Sequence, residues 1–166
     1  MSEPTVGDPW IERALLDLAG CLCTALSDAE HPTCFCGVLG GVQATLDTCT
    51  SCDVACGTAW VRLNSAFPSS SLPSADTTLS SCTAPLAYEI ELGVGRCAPA
   101  PDDDGTPPTV SEELDSALLL LSDLWSMRTA IDCCFAGADT VLGTYTPFGP
   151  QGGCVGGTWT VVVAQR

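Results

Sequence analysis

The stretch CTSCDVACGTAWVRL, residues 49–63, sets Cys49, Cys52 and Cys56 at C-x2-C-x3-C spacing directly ahead of a segment with strand character. Three chemistries suit that spacing: half of a zinc site, part of a disulfide framework, or thiols buried beside a structural sheet. Zinc takes four Cys or His ligands, commonly from two short-spaced pairs on knuckle-like turns. HPTCFC (31–36) offers His31, Cys34 and Cys36 as partners for Cys49, Cys52 and Cys56. C-x-C is a less typical knuckle than C-x2-C, so a zinc-stabilised binding module stands as the alternative rather than the leading reading. A thiol oxidoreductase working through Cys49 and Cys52 would need a thiolate favoured at a helix start, and no such helix follows them.

Disulfides suit the count and the placement better. The chain has twelve cysteines. Cys34, Cys36, Cys49, Cys52, Cys56, Cys82, Cys97 and Cys154 fall in irregular segments that cross-links would stiffen. Cys82 and Cys97 flank a strand that spans on the order of 30 Å, so each needs a different partner. Cys21 and Cys23 lie within a helical pattern and read as small buried apolar residues. Cys133 and Cys134 fit no ligand pattern.

The remaining catalytic candidates are few. His31 is the single histidine, and beside Pro32 it reads as a solvated loop residue, not the base of a nucleophilic triad. GVLGGV (37–42) lacks the lysine and spacing of a phosphate-binding loop. The Asp102, Asp103, Asp104 run lacks the spacing of a calcium loop. Glu89 and Glu91 are accounted for as the wet face of a strand. Neither a catalytic constellation nor a cofactor is expected.

Charge narrows the partners. Twenty acids face five arginines, giving a net charge of −15 that repels phosphate and argues against nucleic-acid binding by counterion release. No run approaches the roughly 18–20 apolar residues of a membrane span. The acidic start MSEPTVGDPWIERALL has no basic n-region, which implies synthesis in the cytoplasm. Cysteines made there are normally kept reduced, so disulfides would belong to a protein that ends in a more oxidising place.

The elements that would position these residues follow from periodicity. Asp8 and Pro9 read as N-cap and first helical position, and Ile11, Leu15, Leu18, Leu22 and Leu26 predict an amphipathic helix over 9–26. Residues 27–58 read as a Cys-rich irregular insert. Strands are expected at 59–67, with Val61, Leu63, Ser65 and Phe67 on one face, and at 86–95. In the second, Leu86, Tyr88, Ile90, Leu92 and Val94 alternate against Glu89 and Glu91. A Ser/Pro loop (68–85) separates the two, and a Pro/Asp linker (98–108) follows. Thr109 and Glu112 form a capping-box signature for a helix to about 134 carrying Leu114, Leu118, Leu121, Trp125 and Ile131. Strands at about 139–146 and 157–165, joined by a glycine-rich loop, close the chain. The expectation is one α+β domain over 1–166: two helices on a four-stranded, mainly antiparallel sheet in the order α-β-β-α-β-β.

CGTAWVRL (56–63), YEIELGVGRCAP (88–99) and GTYTPFGPQGGCVGGTWTVVVA (143–164) resemble neck proteins of long-tailed actinobacterial phages, the tail terminators or head-to-tail connectors. The resemblance runs over most of the chain, including the linker and the long helix. It implies a non-enzymatic virion protein, a small α/β domain that assembles as a ring, usually a hexamer. Such a ring ends the tail tube and presents its upper face to the head-completion (stopper) protein. The stopper and adaptor of the same neck are typically a small β-barrel and a helical bundle, which this pattern does not match. The implied partners are further copies of the chain, the major tail-tube protein and the stopper. Double-stranded DNA passes through the lumen without specific binding, no membrane is involved, and the final location is the virion neck. Six copies at −15 each would repel DNA from the wall, with Glu89, Glu91, Asp102, Asp103 and Asp104 as candidate lumen-facing acids. Ring contacts are expected from the loops 68–85, 98–108 and 147–156 and from the sheet edges.

Overall fold

The computed structural model describes residues 9–41, 57–77 and 85–164. Asp8, Cys49, Cys52, Cys56 and Cys82 lie outside them. Two helices and five strands follow in the order α1 (Pro9–Asp28), β1 (Phe35–Val38), β2 (Gly57–Pro68), β3 (Leu86–Cys97), α2 (Val110–Cys134), β4 (Thr140–Gln151) and β5 (Cys154–Ala164). The strands form one mixed sheet ordered β1-β2-β3-β5-β4, in which β1 runs parallel to β2 and the other neighbours are antiparallel.

The α+β class and its two helices agree with the sequence. The strand count does not: part of the expected irregular insert is β1, whose four residues are too few to show a period.

Both helices pack on one face of the sheet. Leu18, Leu22 and Leu26 of α1 and Met127, Ala130 and Ile131 of α2 meet Ala59, Val61, Tyr88, Ile90, Leu92, Val94, Val161 and Val163 in a single core. The alternation in β3 sets this face, since residues two apart share a side of the pleat. α1 closes with paired bonds from the Glu30 amide to the Ser27 carbonyl and from the His31 amide to the Leu26 carbonyl. Glu30, at φ 63°, takes the left-handed position usually held by glycine in that cap. Thr109 and Glu112 form the expected capping box at the start of α2.

Three expectations about faces and loops are corrected. Leu63 stands opposite Ile90 but Ser65 stands opposite Glu89, so Asn64 is an extra residue. This bulge turns Ser65 and Phe67 to the other face from Val61 and Leu63, and puts Ala66 beside Tyr88. The glycine-rich segment 147–156 is not an extended loop. β4 runs through Pro147 and Pro150, as an edge strand can, and turns at Gly152 (φ 57°) and Gly153 (φ 81°) into β5. Gly157 sits within β5 because the Tyr145 hydroxyl occupies the place of a side chain, 2.1 Å from where a Cβ would lie.

The third correction concerns α2. Its buried face is Asp123, Ser126, Met127, Ala130 and Ile131, whereas Leu114, Leu118, Leu121 and Trp125 are exposed. Periodicity identifies an apolar face without saying what covers it.

Candidate functional site

The sheet face away from the helices carries an unusual polar cluster. Arg62 on β2 stands opposite Glu91 on β3. Its Nε donates to Glu91 Oε1 at 2.7 Å and its Nη2 to Oε2 at 2.8 Å, a two-pronged ion pair. Nη1 donates to the Gly41 carbonyl, and the Trp60 indole Nε1 donates to Glu91 Oε1 at 3.1 Å. The Arg62 and Glu91 side chains are only 10% and 13% exposed. The hydrogen bond to Glu91 holds the Arg62 guanidinium above its ordinary value against the opposing effect of burial. Trp60 lies flat across Gly93, where a Cβ would come within 2.1 Å of the indole. Phe148 packs beside it at 6.4 Å between ring centroids.

Glu91 is therefore not a solvated strand acid, and its charge is neutralised by Arg62. Glu89, on the same face, accepts from the Asn64 amide. Asp102 spends its carboxylate on the loop after β3, where Oδ1 accepts from the backbone amides of Asp104 and Thr106. Asp103 and Asp104 are exposed. The structure thus gathers Glu89 and Glu91 on one face and sets Asp102–Asp104 beyond the far end of β3.

A second polar cluster is buried between the sheet and the helices. Arg96 donates from Nε and Nη2 to Asp123 Oδ2 and Oδ1 at 2.9 and 2.7 Å. It also donates from Nη2 to the His31 carbonyl at 2.6 Å and from Nη1 to the Pro32 carbonyl at 3.1 Å. One guanidinium thereby ties β3, α2 and the turn after α1 together. Burial raises the Tyr145 hydroxyl above its ordinary value, and the Asp123 charge adds to the effect.

The cysteines form a covalent frame around α1. Cys21 is joined to Cys134 of α2, and Cys23 to Cys36 of β1. Cys34, Cys97 and Cys154 are disulfide-bonded as well. Cys21 and Cys23 are thus cross-linked, not merely buried. They leave the helix on its flanks, half-exposed, where apolar burial did not need them. In the disulfide form Cys34 and Cys36 offer no thiolate to a metal, and among the described residues no cluster of three or more His, Cys, Asp or Glu side chains could hold one. Cys133, exposed on α2, is the free cysteine of the described residues. It lines a shallow, largely apolar groove of about 510 Å3 between α1 and α2, with Leu16, Gly20, Thr24 and Ala25 opposite.

Arg62, Arg96 and Asp123 were not singled out in the sequence. The available signal was scarcity: in a chain with five cations, each arginine inside a strand needs a carboxylate.

No family model matches this chain. No curated protein shows significant similarity to it either.

Proposed function

We propose that the chain is a tail terminator of a long-tailed phage: a non-enzymatic virion protein that closes into a hexameric ring, ends the tail tube and receives the stopper.

 The observation that carries this reading is the placement of the resembling segments. Three stretches far apart in sequence become β2, β3 and the β4–β5 hairpin, which lie side by side as one continuous sheet. The likeness therefore falls on one connected surface, with β1 and β4 at its two edges. Ring contacts in this reading use those edges and the loop 98–108.

The pairing of Glu91 with Arg62 changes how the lumen is built. Repulsion of DNA falls in this reading to exposed acids, Asp103 and Asp104 among them. The neutralised Arg62–Glu91–Trp60 cluster serves instead to stiffen the outer sheet face.

The test is tail-tube growth. Tail-tube protein polymerised with this chain should stop at defined ends, each capped by a ring in negative-stain images. Tubes that grow to the same lengths with and without the chain, and carry bare ends, would overturn the proposal.

A further inference from the structure

From Val110 to Ser122 no residue of α2 is fully buried and only Ser116, Leu119, Leu120 and Ser122 are half-buried, so about 20 Å of helix keeps one side open. On that open side, and one turn past it, Leu114, Leu118, Leu121 and Trp125 recur at steps of four, three and four, the spacing of a coiled-coil seam. They lie on the side of the helix opposite Asp123, Met127 and Ala130, which face the protein's own core. The four are 54–68% exposed and Val110 above them is 87% exposed. Together they leave on the order of 600 Å2 of apolar surface in one strip, the upper end for a monomer and most of the roughly 800 Å2 each partner gives to a standard interface.

The self-complementary seam and its area suit a second copy, and charge sets the sense of the pairing. Between Ser116 and Met127 the one charged residue is Asp123, which points inward to Arg96. From Leu118 to Trp125 the strip therefore carries no outward charge, although the chain carries −15. Glu112, Glu113 and Asp115 flank its first turns, and after it stands Arg128, paired with Asp132 of its own helix at 2.8 Å. A second α2 laid antiparallel keeps the two acidic turns apart and sets each beside the charge-balanced Arg128–Asp132 turn of the other. It also stacks Leu114 on Trp125 and Leu118 on Leu121, twice over by symmetry. A parallel partner would set acid against acid.

We infer that α2 pairs antiparallel with α2 of a second copy of this chain through Leu114, Leu118, Leu121 and Trp125. The contact is isologous and makes pairs, not rings, so it stands independently of the terminator reading.

Sedimentation velocity of the whole chain without reductant tests it. The wild type should reach twice the chain mass at subunit concentrations up to about 100 µM. Leu118→Glu with Leu121→Glu should hold the mass to one chain while circular dichroism and the melting temperature show the fold intact. Leu114→Cys should form no cross-link between copies on oxidation, because the antiparallel register sets the two sites 11 residues, about 16 Å, apart. A wild type of single-chain mass, or a double-Glu variant that still associates, would overturn the pairing. A pair of Leu114→Cys chains linked through that cysteine would overturn its antiparallel sense. A ring mass that survives the double-Glu change would remove the α2 contact while leaving the ring untouched.

Discussion

Removing the Asp123 carboxylate is the sharpest test of how this fold is held. Arg96 and Asp123 are 4% and 1% exposed, and the guanidinium makes two of its four hydrogen bonds to that carboxylate. Asp123→Ala leaves a buried cation facing only the His31 and Pro32 carbonyls. Breaking a buried pair in this way costs about 3–5 kcal/mol, because the desolvated charge loses its counter-charge. For a domain of this size each kcal/mol lowers Tm by about 2–4 °C, so a fall of about 6–20 °C is expected. The double change Arg96→Met with Asp123→Ala removes both charges and should cost much less than Asp123→Ala and Arg96→Met added together. Urea and thermal unfolding under non-reducing conditions, arranged as a double-mutant cycle, measure the difference. A loss below about 1 kcal/mol for Asp123→Ala, or strictly additive single changes, would refute the account of Arg96 as the tie between β3, α2 and the turn after α1.

Other expectations follow from single sites. Glu30→Gly should stabilise the protein by up to about 1 kcal/mol, since glycine holds φ 63° without the Cβ clash; a destabilised variant would contradict the cap geometry. The backbone amide of Thr109, and then its hydroxyl, hold the Glu112 carboxyl below its ordinary value of 4.5. The cap is thus fully present above pH 4.5 and is lost as pH falls through the lowered folded value. Glu112→Ala should therefore destabilise at pH 7 and converge on the wild type in acid, and a difference independent of pH would count against the capping box. Native alkylation followed by peptide mapping should mark Cys133 but spare Cys21, Cys23, Cys36 and Cys134 until a reductant is added. Labelling of Cys21 in the untreated protein would argue against its bond to Cys134.

The sequence was most informative where one element answers to one period. The spacing of Leu18, Leu22 and Leu26 located the buried face of α1, and Tyr88 through Val94 located that of β3. Thr109 and Glu112 marked a helix start because both halves of that signal lie within four residues. Features that depend on a distant partner were not legible. Arg62 meets Glu91 only through the β2–β3 register, which the Asn64 bulge shifts partway along. Cys21 and Cys134 lie 113 residues apart, and nothing local to either marks the other. The seam on α2 was visible as a period, but its exposure depends on where the helix crosses the sheet.

The two cross-links on α1 differ in when they can first be made. Cys23 and Cys36 are 13 residues apart and can meet soon after both leave the ribosome. Cys21 has to wait for Cys134 until most of the chain has been synthesised. An oxidant acting during translation would find Cys21 two positions from Cys23, with Cys34 and Cys36 as the nearest later thiols and every wrong pairing open to it. An oxidant that arrives after folding finds each thiol already facing its partner. The spacing of these cysteines thus favours a chain that folds reduced and is locked afterwards, a timetable in which the packed core selects the bonds and the bonds then preserve the core.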